Sequence, residues 1–237
     1  MSNGTLKGRV AVITGASRGI GRAVAKAFAA EGAKCVLIAR TVGALEELDD
    51  EIQQAGGENA LLIPQDLFDL KALDALGPQL NQHLGRVDIL VGNAAMLGTL
   101  GPVAGSNPDM WEKCFKLNVL ANQRLIRTLD PLLRMSDAGR AMFVTSGAAH
   151  KDRAHWGAYA ASKAALEKMV LAYADEVVHS NLKVNLIDPG RVKTEMRALA
   201  YPGEDAETLP KPSDVTARFI ELAMSDFQGH GQMVKAA

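Results

Sequence analysis

Apolar residues along the chain fall alternately into short unbroken runs and into stripes at helical spacing. The run Val10, Ala11, Val12, Ile13, Thr14 is what a strand covered on both faces requires. After a cluster of glycines, Ile20, Ala23, Val24, Ala27 and Phe28 recur three and four residues apart, as on one face of an amphipathic helix. The pairing then repeats. The run 35–39 precedes a helix over about 45–54, and the run 60–63 precedes one over about 70–84. Runs at 87–91, 141–145 and 184–187 supply three more strands, separated by helices over about 110–133 and 158–179, and a short last strand is expected at 232–234. Gly32 and the pair Gly56 and Gly57 stand where helices end in a left-handed residue. The stretch 201–212 holds Pro202, Gly203, Pro210, Pro212 and several acids, and reads as a mobile surface loop.

This order predicts an α/β fold, a Rossmann-like doubly wound parallel sheet of about seven strands flanked by helices. With no repeat, low-complexity tract or linker to divide it, the whole of 1–237 is read as one dinucleotide-binding and catalytic domain. Charge adds little: 26 basic side chains against 27 acidic give a net −1, which exerts no general pull on nucleic acid or anionic membrane. Residues 1–5 lack the basic and apolar regions of a secretion signal, and no apolar run nears the ~20 residues of a membrane span, so a cytoplasmic location is expected. Cys35 and Cys114 have no partner at metal or disulfide spacing and are read as buried free thiols, with no metal site.

Three features carry chemistry. The segment from Thr14 through Gly15, Ala16, Ser17, Arg18, Gly19 and Ile20 to Gly21 has the form T-G-x-x-x-G-x-G and joins the first strand to the first helix. A dinucleotide pyrophosphate meets the backbone and the positive helix end at such a junction. Tyr159 and Lys163, four apart on a predicted helix, share one face. Ser146 follows the run 141–145 and so sits at a carboxyl strand end, above the same crevice.

Together these residues resemble the short-chain dehydrogenase/reductase family, and the resemblance runs over nearly the whole chain. Gly92, Asn93, Ala94 and Ala95 are similar to the family's Asn-Asn-Ala-Gly segment, with Gly92 in place of the first asparagine and Ala95 in place of the glycine. The resemblance implies a catalytic tetrad of Asn118, Ser146, Tyr159 and Lys163. For the cofactor it implies Gly15, Ser17, Arg18, Gly19, Ile20, Gly21, Arg40, Thr41, Asp66 and Leu67 on the adenosine and phosphate side. Asn93, Ala94, Ala95, Tyr159, Lys163, Pro189, Gly190, Val192 and Thr194 would serve the nicotinamide side. The run 156–163 is also similar to a bacterial subgroup of the family whose substrate the resemblance leaves open. Two-fold packing of helices in the family implies a homodimer or homotetramer.

The implied activity is hydride transfer between NADP(H) and a small carbonyl or alcohol, with Tyr159 as general acid or base. Ser146 would polarise the carbonyl, and Asn118 would hold an arrangement leading protons to Lys163. An ordinary phenol titrates near ~10, and the Lys163 ammonium and an oxidised nicotinamide are expected to favour its ionised form. Preference for NADP(H) over NAD(H) follows from positions 39–41. Ala39, Arg40 and Thr41 stand where an NAD site carries an acid, and Arg40 with Arg18 suits a 2′-phosphate.

A non-catalytic NADP(H) sensor or scaffold is the rival from another class, and an eroded tetrad would mark it. A nucleotide-sugar epimerase or dehydratase would need a larger substrate region than the chain has after Gly190. His150 and His155 receive no role, the acids at 46–51 read as a solvated helix face, and specificity is expected from the segment after Ser146 and from the loop and helix after Thr194.

Overall fold

The structure is a computed structural model that describes residues 4–236. Seven strands form one parallel sheet in the order β3-β2-β1-β4-β5-β6-β7. They are β1 (Val10–Thr14), β2 (Lys34–Ala39), β3 (Leu61–Pro64), β4 (Ile89–Gly92), β5 (Arg140–Val144), β6 (Lys183–Asp188) and β7 (Met233–Lys235). Order runs outward in one direction from β1 to β3 and in the other from β4 to β7, so the chain reverses direction across the sheet between β1 and β4. Such a reversal leaves a crevice at the carboxyl strand ends.

The strands are near-continuous apolar runs because helices cover both faces, and side chains alternate between two cores. Ala11 and Ile13 of β1 join Phe28, Leu45, Leu48, Phe219 and Leu222 on one face. Val10 and Val12 join Leu90, Leu125, Leu129, Phe143, Leu166 and Val170 on the other. The first face is covered by α1 (Gly19–Ala30), α2 (Val42–Gln54) and, from beyond the expected helices, α9 (Thr216–Ala223). Gly32 and Gly56, just past the ends of α1 and α2, have φ of 84° and 86°, the left-handed conformation expected of them.

Two long helices of the sequence reading are divided. The first becomes α3 (Leu70–Asp74) and α4 (Leu76–Leu84), which meet at Ala75. Asp69 caps α3 by accepting from the Ala72 amide, and Gly77 packs so closely that its amide donates to the Thr128 hydroxyl at 2.9 Å. The second becomes α5 (Pro108–Phe115) and α6 (Ala121–Met135), joined by one π-helical stretch, Lys116–Leu120, with Asn118 at its centre. On the same face, α7 (Gly157–Glu176) lies against β6 and α5. A short α8 (Glu195–Ala200) follows β6. The strand expected from Val87 starts at Ile89, because the buried Asp88 turns its carboxylate to the Val10 amide (2.8 Å) and the Ser136 hydroxyl (2.5 Å) and closes the amino end of the sheet.

Residues 201–212 are built into the fold rather than standing off it as a bare loop. Arg197 holds Glu204, Lys193 holds Glu207, and the Lys193 amide donates to the Pro210 carbonyl at 2.9 Å.

Gly21 shows why the first turn needs glycine. A Cβ there would overlap the Gly15 carbonyl oxygen and lie 2.5 Å from Asn93 Nδ2, both held by other contacts. Gly21→Ala is therefore expected to destabilise the protein by about 1–3 kcal/mol, as overpacking does. A calorimetric melt should fall by about 2–4 °C per kcal/mol. An unchanged melting temperature would show that the turn has room to spare.

Candidate functional site

Thr14 ends β1, and its buried hydroxyl crosses to the neighbouring strand. It donates to the Val91 carbonyl (3.2 Å) and accepts from the amides of Asn93 (3.0 Å) and Ala94 (3.1 Å). The Asn93 carboxamide returns the contact, donating to the carbonyl of Thr14 at 2.9 Å. The ends of β1 and β4 are thus tied together exactly where the strand order reverses. Gly15 and Gly19 take φ of 65° and 56°, a left-handed conformation that side chains disfavour, and they carry the chain from strand to helix. The start of α1 has no side-chain cap and no acid in its first turn, so its free amides and positive dipole end face the crevice unanswered.

Arg40 is exposed and, among the described residues, makes no hydrogen bond or ion pair. Thr41 is the N-cap of α2 and leaves its own hydroxyl out of the cap. Arg18 is directed elsewhere: it pairs with Glu195 at the start of α8, across the crevice mouth. Asp66 turns its chain locally, with Oδ1 accepting from the Phe68 amide at 3.0 Å, and Leu67 beside it is buried. Beyond β6, Gly190 (φ 73°) donates its amide to Asp188 Oδ1, Pro189 precedes it, Val192 is buried and Thr194 caps α8 by accepting from the Arg197 amide.

Tyr159 lies in the first turn of α7 and is 7% exposed. Gly157 lets that turn approach, since a Cβ there would come within 2.8 Å of Val103 and 3.1 Å of Trp111. Burial pushes the Tyr159 phenol up to about 12, opposed by the nearby Ser146 hydroxyl and assisted by Asp188 and Cys114. Ser146 stands just past β5 and caps the short turn Gly147–Ala149 by accepting from the Ala148 amide at 3.2 Å.

Lys163 is buried one turn beyond Tyr159. Its Nζ donates to the Val144 carbonyl at 2.7 Å and lies 5.9 Å from the Tyr159 ring centre. Burial drives its ammonium down to about 8, and the charge of Glu167 opposes that fall. In the chain by itself burial sets the direction for the phenol; the expectation that Lys163 and an oxidised nicotinamide favour its ionised form concerns the site with cofactor bound. Desolvation penalises both charged forms and is the largest influence on each.

Asn118 is fully buried within the π-helical stretch. Its carboxamide accepts from the Met96 amide (2.9 Å) and donates to the Met96 carbonyl (3.0 Å) and to Ser162 Oγ (2.9 Å). Ser162 in turn donates to the Tyr159 carbonyl at 2.8 Å. The stretch is anchored to both the loop after β4 and α7, as π-helical insertions near functional sites often are.

The structure brings Ser146, Tyr159 and Lys163 together and links Asn118 to them through Ser162. It also shows three residues to which the sequence reading gave no part: Thr14, Ser162 and Glu167. Thr14 and Ser162 lie inside motifs already marked, and Glu167 stands at helical spacing from Lys163. His150, also unassigned, pairs with Glu167 at 2.9 Å, and His155 is held at φ 74° with its carbonyl accepting from Gly101.

Residues 9–205 match the family model described as short chain dehydrogenase. The chain belongs to the short-chain dehydrogenase family. It is 36% identical over 223 residues to an uncharacterized oxidoreductase of Escherichia coli K12, YciK, covering 93% of this chain and 88% of that one. It is 34% identical to the benzil reductase ((S)-benzoin forming) of Saccharomyces cerevisiae over 221 residues, covering 90% of this chain and 81% of the other. Among solved structures it is similar to a short chain dehydrogenase from Escherichia coli CFT073 complexed with NADPH. That pair is 34% identical with a TM-score of 0.95, covering 100% of this chain and 99% of the other. The short-chain dehydrogenase fold and oxidoreductase class are thus those of this chain.

Thr14→Val keeps the side-chain shape but takes the acceptor from the Ala94 amide at the crevice, while the Asn93 amide keeps the Val91 carbonyl at 3.1 Å. We expect a loss of about 1–3 kcal/mol, the cost of leaving buried polar groups unsatisfied. Urea unfolding is the measurement, and a variant as stable as the parent would show that the hydroxyl does not tie the strands.

Proposed function

We propose that the protein is an NADP(H)-dependent oxidoreductase that interconverts a small carbonyl compound and its alcohol, with Tyr159 as the general acid or base. The observation that carries the reading is the buried Tyr159, beside Ser146 and followed one turn later by the buried Lys163, whose Nζ lies 5.9 Å from the Tyr159 ring centre. The residues present fit the cofactor: the uncapped start of α1 suits a pyrophosphate, and Arg40 beside the start of α2 suits a 2′-phosphate. The NADPH complex of the similar Escherichia coli protein supports the same choice. When bound, NADPH supplies the hydride.

In reduction, Tyr159 Oη gives its proton to the oxygen of the carbonyl group, and Ser146 Oγ donates a second hydrogen bond to that oxygen as charge develops on it. A phenol pushed up to about 12 remains protonated at neutral pH, so the chain presents the acid form needed for this direction. Lys163 supplies a positive charge that favours the phenolate left behind, and Asn118 fixes the helix turn behind it. Gly15, Ser17, Gly19, Ile20, Gly21, Asp66, Leu67, Asn93, Ala94, Ala95, Pro189, Gly190, Val192 and Thr194 are assigned to holding the cofactor.

Leu97, Trp156, Met196 and Ala200 pack around Tyr159, and the Trp156 and Tyr159 rings meet edge to face at 5.9 Å. This wall suits a carbonyl compound with an apolar or aromatic flank, in keeping with the benzil reductase among its relatives. The expected assembly is a homodimer or homotetramer.

Tyr159→Phe should lower kcat by about 10²–10⁴-fold while leaving NADPH affinity nearly unchanged, because the ring stays and the proton goes. Steady-state rates and nucleotide binding, measured on one preparation, read both. A variant keeping more than about a tenth of the rate would remove Tyr159 from the role.

Arg40→Ala should weaken NADPH binding by roughly ten- to a hundred-fold, the loss of one charge-assisted hydrogen bond, and leave NADH little changed. Arg18→Ala should act in the same direction once Arg18 exchanges Glu195 for the phosphate. The measurement is kcat/KM for both nucleotides at one ionic strength, and a parent enzyme that prefers NADH overturns the cofactor choice.

A further inference from the structure

Glu167 lies one helical turn beyond Lys163 on α7 and is 6% exposed, a carboxylate sunk into the protein with no part in the steps above. One of its oxygens accepts a hydrogen bond from the Thr145 hydroxyl, and the other stands 2.9 Å from Nε2 of His150. Thr145 directly follows Val144, whose carbonyl holds the Lys163 ammonium. Two adjacent residues at the carboxyl end of β5 therefore grip two opposite charges presented by neighbouring turns of α7. Carboxylates are seldom buried unless paired. Its contact pair is with His150, and Lys163, at i,i+4 on the same helix, feels its charge from the interior. His150, half exposed, covers the carboxylate from the solvent side.

We propose that Glu167 is a positioning residue for the reaction: its buried negative charge keeps the Lys163 ammonium protonated. The proposal rests on the assignment of Lys163 to the Tyr159 and NADP(H) site. The energetic need is plain from burial, which drives the Lys163 ammonium down to about 8 even with Glu167 opposing it. Without the carboxylate the proton would leave at lower pH, and part of the enzyme would be uncharged under ordinary conditions. The titratable groups facing the cluster are Lys163 and Tyr159 on α7, His150 after β5, Cys114 on α5 and Asp188 at the end of β6.

The sign follows from which form is active. The ammonium is lost as pH rises, so Lys163 sets an alkaline limb, and removing a negative charge beside it must move that limb to lower pH. Glu167→Gln keeps the shape and an oxygen for Thr145 while removing the charge. We expect its kcat/KM profile with NADPH and an apolar ketone to show an alkaline midpoint about one pH unit below the parent's. NADPH affinity, followed by nucleotide fluorescence and independent of turnover, should fall at alkaline pH and match the parent at pH near ~6, where the ammonium is charged in both. His150→Asn removes the cover but leaves the carboxylate, and Glu167→Asp keeps the charge; both should hold the parent's midpoint.

If Glu167 serves only to anchor the segment after β5, Glu167→Gln and His150→Asn will lose rate equally at every pH with midpoints unmoved, and the proposal is overturned. Should the glutamine variant not fold, a shifted midpoint in Glu167→Asp counts against it in the same way. A parent enzyme that binds NADPH but turns over no carbonyl compound strikes at the proposed reaction, while the affinity profiles still decide the role of Glu167.

Discussion

The site depends first on the reversal of strand order between β1 and β4. Two parallel strands that hydrogen-bond along their length must part where their chains leave for opposite faces, and the gap so formed would expose backbone amides unless something bridged it. Thr14 is the bridge, a hydroxyl that both donates to Val91 and accepts from Asn93 and Ala94. Because Asn93 also reaches back to the Thr14 carbonyl, the glycine turn and the segment after β4 are positioned by one another. The glycines then have distinct reasons. Gly15 and Gly19 supply left-handed backbone, whereas Gly21 supplies the absence of a Cβ at a place already filled by Gly15 and Asn93. The open amides of α1 are consequently aimed across a crevice whose width the two strands fix.

The second constraint is desolvation at the other wall. Tyr159 and Lys163 are both driven toward their neutral forms, the phenol upward and the ammonium downward, because burial is the largest influence on each. Surrounding polar groups oppose this: Ser146 acts on the phenol, Glu167 on the ammonium, and the Val144 carbonyl accepts a hydrogen bond from it. An acid and a cation held in reserve in this manner respond strongly to any further charge brought into the crevice. A buried site of this type is therefore sensitive to its neighbours in a way that an exposed tyrosine and lysine at the same spacing would not be.

Much of this was legible in the chain itself, and the exceptions have physical reasons. Buried parallel strands leave unbroken apolar runs, and the left-handed Gly32 and Gly56 mark two helix ends, so the sheet and its first crossovers could be read directly. The division at Lys116–Leu120 could not, because a single π-helical stretch shifts the register without interrupting the apolar stripe. The helix α9 follows a proline-rich stretch and is only eight residues long, so its buried face of Phe219, Leu222 and Ala223 gives little periodicity to count. At the site, Tyr159 and Lys163 announce themselves by helical spacing. Thr14 and Ser162 do not, since their work is done through partners 79 and 44 residues away. The ion pairs that pin residues 201–212 were hidden for the same reason: proline and glycine signal a turn, but not what the turn is tied to.

Of the two small residues that depart from the family's segment after β4, Gly92 is fixed by its packing. At Gly92 the place of a side chain is already taken: a Cβ would run into the Phe143 ring and come within 2.6 Å of Asn122 Oδ1. Phe143 is fully buried in the core that α6 and α7 cover, and Asn122, itself buried, donates to the Asn118 carbonyl at 2.9 Å. The absence of a side chain at 92 is thus one part of a packing arrangement that reaches from β4 through β5 to the π-helical stretch. Only with Gly92 can the ring of Phe143 and the carboxamide of Asn122 share that space. Asn122, held there, donates to the Asn118 carbonyl within the widened turn. The departure leaves Asn93 as the asparagine that joins Thr14 in tying the crevice and uses the vacated volume to fix the element that carries Asn118.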